Sequence, residues 1–234
     1  AEIGKAVSKE TKIDILVTPI VTVLVGVGFA ALIAAPVGKA ASAVGQAIMW
    51  ATELQPFFMG IIVSVVIGVA LTLPISSAAI CAALGLTGLA GGAAVAGCCA
   101  QMVGFAVMSF RENRWGGLVA QGVGTSMLQM PNIVKNPKIW IPPTLASAIT
   151  GPLATCLFKL EMNGAAVSSG MGTCGFVGQI GVYTGWVNDV ASGAKDWVGL
   201  VLICFVLPAS FSWVFCEVLR KKGWIGENDL KLDL

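Results

Sequence analysis

Two short stretches of this 234-residue chain carry the side chains best suited to hold a polar molecule. Gly122-Val123-Gly124-Thr125-Ser126 and Gly170-Met171-Gly172-Thr173-Cys174 share a glycine-x-glycine-threonine core, and each is followed by a glutamine, Gln129 and Gln179. Gln121, Asn132, Asn163, Ser168 and Ser169 lie close by in sequence. Hydroxyls donate and accept, side-chain amides do both, and glycine permits a sharp turn or a close backbone approach. With Gly124, Thr125, Ser126, Gly172 and Thr173, these residues form a set that suits a neutral, hydroxyl-rich small solute. Glu161, two residues before Asn163, adds a carboxylate that could accept a hydroxyl or take up a proton. At an outer interface the same Glu161, beside Lys159, would only be solvated or paired with headgroups. The glycine pairs also have a plainer reading, since small residues let membrane helices pack closely.

Other chemistry is poorly supplied. The chain has no histidine, which removes His-based triads and His-ligated metal sites, and no nucleophile, base and orienting group occur together. We therefore expect no catalytic residues, no cofactor and no metal. The seven cysteines all lie in apolar stretches and form no pair of C-x-x-C motifs, so they read as small core residues. A net charge of +2 is spread as short basic clusters between apolar runs, which does not describe a nucleic-acid surface.

These residues need elements to position them, and the elements belong in a bilayer. Hydrophobic residues make up 56% and charged residues 11% of the chain, against about 25% charged in soluble domains. A spanning helix needs about 20 apolar residues. Residues 13–36 meet that length with Pro36 as the stop, and 37–55 read as an interfacial amphipathic helix anchored by Trp50. Residues 56–73 form a second span. Residues 75–110 are too long for one crossing and read as two short helices broken at Gly91 and Gly92. Residues 139–160 form a span with Pro142 and Pro143 in its first turn and a kink at Pro152. The last span is 197–219, and 223–234 read as a short cytoplasmic tail after a single transmembrane domain over 1–222. The seven tryptophans read mostly as interfacial anchors. Thr72 to Ser77 reads either as a break at a cavity or as a surface loop.

The stretches 115–131 and 162–186 are apolar but short and rich in glycine and polar side chains, which suits re-entrant hairpins. Charge supports this. With a cytoplasmic N-terminus and both segments leaving by the side they enter, ten basic residues fall inside and three outside, with Lys231 set aside. The hairpins then enter from opposite faces, the inverted arrangement by which carriers build a midplane site. The residues thus predict an all-α, polytopic membrane protein that carries a small polar solute, its two ends cytoplasmic. A membrane sensor and a channel are the competing classes.

Residues 11–19 (Thr-Lys-Ile-Asp-Ile-Leu-Val-Thr-Pro), the 122–129 hairpin and Gly170 to Thr173 together resemble enzyme IIC, the membrane component of phosphotransferase-type sugar transporters. The nearest resemblance is to the stand-alone subunit IIC or perfringolysin O regulator-like branch. It covers most of the chain from Lys12 to about Arg220. The resemblance implies an enzyme IIC-like fold in a bacterial inner membrane, a homodimer, a sugar bound among hairpin loops, an elevator-like motion and soluble phosphotransferase partners. Relatives that phosphorylate their sugar use a histidine and a partner-domain cysteine; this chain has neither the histidine nor an attached soluble domain. Such relatives are also longer, so the polar start at Ala1 is read as a chain whose first helices are trimmed.

Overall fold

The computed structural model describes residues 14–188 and 193–232. Helix α1 (Asp14–Leu54) is followed by α2 (Pro56–Thr72), α3 (Ser77–Leu84) and α4 (Gly88–Met108). Next come α5 (Phe110–Val119), continued by a π-helical turn (Ala120–Gly124), a 3-10 turn (Ser126–Gln129) and α6 (Met130–Lys135). A 3-10 turn (Pro137–Trp140) leads into α7 (Ile141–Pro152), which ends in a second π turn (Leu153–Leu157). Two more 3-10 turns (Ala166–Gly170 and Cys174–Phe176) precede α8 (Val177–Asn188). The last helical run is α9 (Ala194–Val201), a third π turn (Leu202–Val206) and α10 (Leu207–Lys221). No strand occurs among the described residues, apart from one isolated antiparallel bridge between Gly88 and Met162.

Contacts divide the chain into two units, Ala1–Ala43 and Val44–Leu234. The described part of the first is α1 from Asp14 to Ala43; the second holds the rest of α1 and the remaining elements. Sequence alone predicts a stop at Pro36, but α1 continues through it to Leu54. In an apolar surrounding, ending the helix would strand several peptide groups, whereas proline strands one. Ile13 itself lies outside the described residues.

Helix α4 is the centre of the second unit, buried from Ala90 to Ala106. The expected break at Gly91 and Gly92 is displaced: the chain turns at Gly85, which is left-handed (φ 65°), and Gly91 and Gly92 lie inside α4. The reason is packing. A Cβ at Gly92 would overlap the Leu160 carbonyl, and one at Gly97 would overlap the Ser64 carbonyl of α2. The glycines read as breakers are what let neighbouring backbones touch this helix. One short helix and one 21-residue helix therefore replace the two short ones.

Pro142 and Pro143 stand in the first turn of α7, and the π turn begins directly after Pro152. Among the described residues, α4 and the 28-residue run Ala194–Lys221 are long and apolar enough to cross a membrane, and most of the latter is unburied. Its π turn lies just before Pro208, whose ring would otherwise crowd the carbonyl four residues back.

The segment after α10 is not a free end. Ile225 and Leu230 are buried in one cluster with Phe105, Met108, Ile133, Ile139, Cys216 and Leu219. Of the cysteines, Cys81, Cys98, Cys99, Cys204 and Cys216 are buried, Cys156 is exposed and Cys174 is intermediate.

Candidate functional site

Both glycine-rich stretches are interrupted helices. In the first, Arg114 (φ 50°, ψ −146°) breaks α5, and the extended Thr125 (φ −160°, ψ 141°) separates the π turn from the next leg. Thr125 Oγ1 accepts from Met127 N (3.2 Å), capping that leg. In the second stretch, Gly172 (φ 52°), Gly175 (φ 53°) and Phe176 (φ 58°) are left-handed, and α8 starts only at Val177. The π turn Ala120–Gly124 lies against the turn Cys174–Phe176, and both stretches pack on α4. The two stretches singled out from sequence are thus brought together.

Their polar side chains fall into three groups. The first is an amide relay. Gln121 Nε2 donates to Ser109 Oγ (2.7 Å) and Gly117 O (3.0 Å), while Gln129 Nε2 donates to Gln121 Oε1 (2.9 Å) and Leu230 O (3.0 Å). Asn132 Nδ2 donates to Gln129 Oε1 (2.9 Å) and Lys231 O (2.8 Å). Here these amides tie the first stretch to the segment after α10.

The second group centres on Gln101, which composition and motif do not single out. Gln101 is the lone side-chain amide in α4 and is fully buried. Its Oε1 accepts from Trp140 Nε1 (3.1 Å) and Thr72 Oγ1 (3.4 Å), and its Nε2 donates to Thr144 Oγ1 (3.3 Å). With Thr72 donating to Gln101, Ser126 Oγ, 2.8 Å away, is left to donate to Thr72. Trp140, read as an interfacial anchor, is instead engaged inward. At the other end of the same turn, Ser77 Oγ donates to Gly170 O (2.7 Å). Thr72 and Ser77 are both buried, so the segment between α2 and α3 touches both stretches. A lone amide in an apolar helix was the available signal for Gln101, because buried amides require partners. Gln101→Leu would leave the Trp140 indole N–H without an acceptor, while the Thr72 hydroxyl turns to donate to Ser126 Oγ. A loss of about 1–3 kcal/mol is expected, read as a lower unfolding midpoint in detergent together with a shifted tryptophan emission.

The third group surrounds the second stretch. Thr173 is fully buried with Oγ1 donating to Met102 Sδ (3.5 Å). Ser169 Oγ donates to Leu86 O (2.6 Å), and Ser168 is buried. Gln179 Nε2 donates to Cys99 Sγ (3.2 Å), and its Oε1 is buried with no hydrogen-bond partner. A Cβ at Gly124 would meet only open space. Glu161 and Asn163 are exposed and bonded to each other (3.1 Å). No group of three or more metal-ligating side chains occurs among the described residues.

A largely buried small-residue helix, a long apolar helix left largely unburied and two interrupted polar stretches fit a helical membrane protein. The family model described as Phosphotransferase system, EIIC matches residues 1–232. The chain belongs to that family: it is an enzyme IIC component, the membrane-embedded sugar-transport part of a phosphotransferase system. No curated protein and no solved structure is matched by the chain.

Proposed function

We propose that this enzyme IIC component carries its sugar, or a related hydroxylated metabolite, in a chamber between the two interrupted hairpins. The observation that carries the reading is the contact of Ala120–Gly124 with Cys174–Phe176 against α4. Gly124, Thr125, Gly172, Thr173 and Gln179 are the residues placed nearest the solute, and the buried, unpartnered Gln179 Oε1 is the acceptor offered to a sugar hydroxyl. Ser126, Ser168 and Ser169 hold the walls. Gln121, Gln129 and Asn132 hold the first hairpin in position, and Glu161 with Asn163 stands at the mouth of the second.

The ten-to-three distribution of basic residues supports hairpins entering from opposite faces of a bacterial inner membrane, with the ends of this chain cytoplasmic. Residues 1–222 form the transmembrane domain, and the segment from 223 is its cytoplasmic appendage. The protein works as a homodimer by an elevator-like motion. Any phosphoryl transfer is performed by soluble phosphotransferase components, since this chain has no histidine to take part.

The test is counterflow in proteoliposomes, after a thermal-shift screen of sugars and sugar acids selects a ligand. Saturable exchange of the labelled ligand, lost in Gln179→Leu, is the expected result. Ligand binding without exchange would identify a sensor, and flux that never saturates would identify a channel.

A further inference from the structure

An open groove of 350 Å³ runs along the junction of α4, α5 and α10. Val107, Met108, Phe110, Leu118, Trp115 and Trp213 line it, and the Arg111–Glu217 ion pair (2.8 Å) sits at its rim. Trp115 is 72% and Trp213 50% exposed, so the indoles form walls of the groove without closing it. Trp213, Glu217 and Lys221 follow one another at helical spacing on α10, so the apolar floor leads towards basic residues.

The acidic residues of α5 and α10 beside the groove are already paired. Glu112 and Glu217 are each taken up by an arginine, Arg220 and Arg111. Arg114, Lys221 and Lys222 are exposed and have no ion pair among the described residues. Arg111 spends one donor on Glu217, and its side chain is 60% exposed, which leaves other guanidinium donors facing outward.

We propose that this groove is a binding site for an anionic phospholipid, with one acyl chain lying between Trp115 and Trp213 and the headgroup held by Arg111, Arg114 and Lys221. The chain is a membrane protein, the groove opens on a largely unburied apolar helix, and basic residues at a helix end attract anionic headgroups. A second copy is disfavoured as occupant. A two-fold contact through this surface would gather the basic residues of both copies into one interface, where Glu112 and Glu217 are already paired. The proposal does not depend on where the sugar binds.

The experiment measures quenching of tryptophan fluorescence by phospholipids brominated on the acyl chain. The protein is kept in nanodiscs of rising phosphatidylglycerol or phosphatidylcholine content. Quenching by the brominated phosphatidylglycerol is expected to half-saturate at a several-fold lower mole fraction than by the phosphatidylcholine. In W115F/W213F that saturable component should disappear. In R114Q/K221Q the two lipids should quench alike, whereas R114K/K221R should keep the preference. Equal curves for both headgroups in the unaltered protein would overturn the proposal. So would a saturable component that survives W115F/W213F, or indoles shielded from both lipids in a particle containing two chains packed through this groove.

Discussion

Gly172→Ala is expected to disable the candidate chamber, while Gly175→Ala, three residues on, is expected to be mild. Both glycines are left-handed, at φ 52° and 53°, a conformation that costs an L-residue about 1–2 kcal/mol. Only Gly172 is also crowded. A Cβ there would lie 2.7 Å from Cys98 Cβ and 2.8 Å from the Cys98 carbonyl carbon, whereas at Gly175 the nearest atom is a Val177 methyl at 3.8 Å. Cys98 belongs to a buried helix that cannot yield, so overpacking adds about 1–3 kcal/mol. The sum for Gly172→Ala is about 2–5 kcal/mol, against about 1–2 kcal/mol for Gly175→Ala. Paired thermal unfolding and ligand-induced thermal shift would check this. A variant that stays folded should still lose its ligand response, because Thr173 follows directly and Gly178 N bonds Gly172 O. Equal effects at the two positions would refute the packing argument.

Glu112→Ala should be at least as damaging, although Glu112 lies outside the chamber. Its Oε1 meets Arg220 Nη2 at 2.6 Å, with the two side chains only 6% and 13% exposed, and Arg220 also donates to Met108 O (3.4 Å). Removing one partner leaves a guanidinium charge in a poorly solvated position, a loss of about 3–5 kcal/mol. Removing both together, as in Glu112→Met with Arg220→Met, should restore most of it, because the desolvation cost is then absent. Glu217→Gln, at the more exposed Arg111 pair, should change stability by less than about 1 kcal/mol. Unfolding midpoints of the three variants in one detergent decide the matter. A double variant no better than Glu112→Ala would mean that packing, not charge, controls this corner.

Much of the fold was legible because composition and length decide it. Residues 56–73 were long and apolar, and Pro56–Thr72 is one helix. Proline was legible where it opens a helix, at Pro142 and Pro143, and misleading inside one, at Pro36. Gly91 and Gly92 misled because glycine both breaks helices and admits neighbours. Nothing local separates the two roles, and the Leu160 carbonyl that decides the case lies nearly seventy residues away in sequence.

The two glycine-threonine stretches were legible as a pair because their motif repeats, and the structure sets them in contact. What each polar side chain does there was not. Gln121, Gln129 and Asn132 are spent on one another and on Leu230 and Lys231, partners about a hundred residues distant. Gln101 was overlooked because it lies in a segment of unremarkable composition, and for Ser77, in the stretch read as a break or a surface loop, only tertiary contact shows what it bonds.

The turn from Thr72 to Ser77 has a mechanical consequence. One of its ends grips Ser126 and the other grips the carbonyl of Gly170, so it acts as a yoke across the pair of loops. A solute that displaces either loop must drag the other or break a hydroxyl bond shielded from water. In the proposed chamber, contact with one wall would pass through this turn to the opposite wall, so the two loops would answer the solute as a single lever.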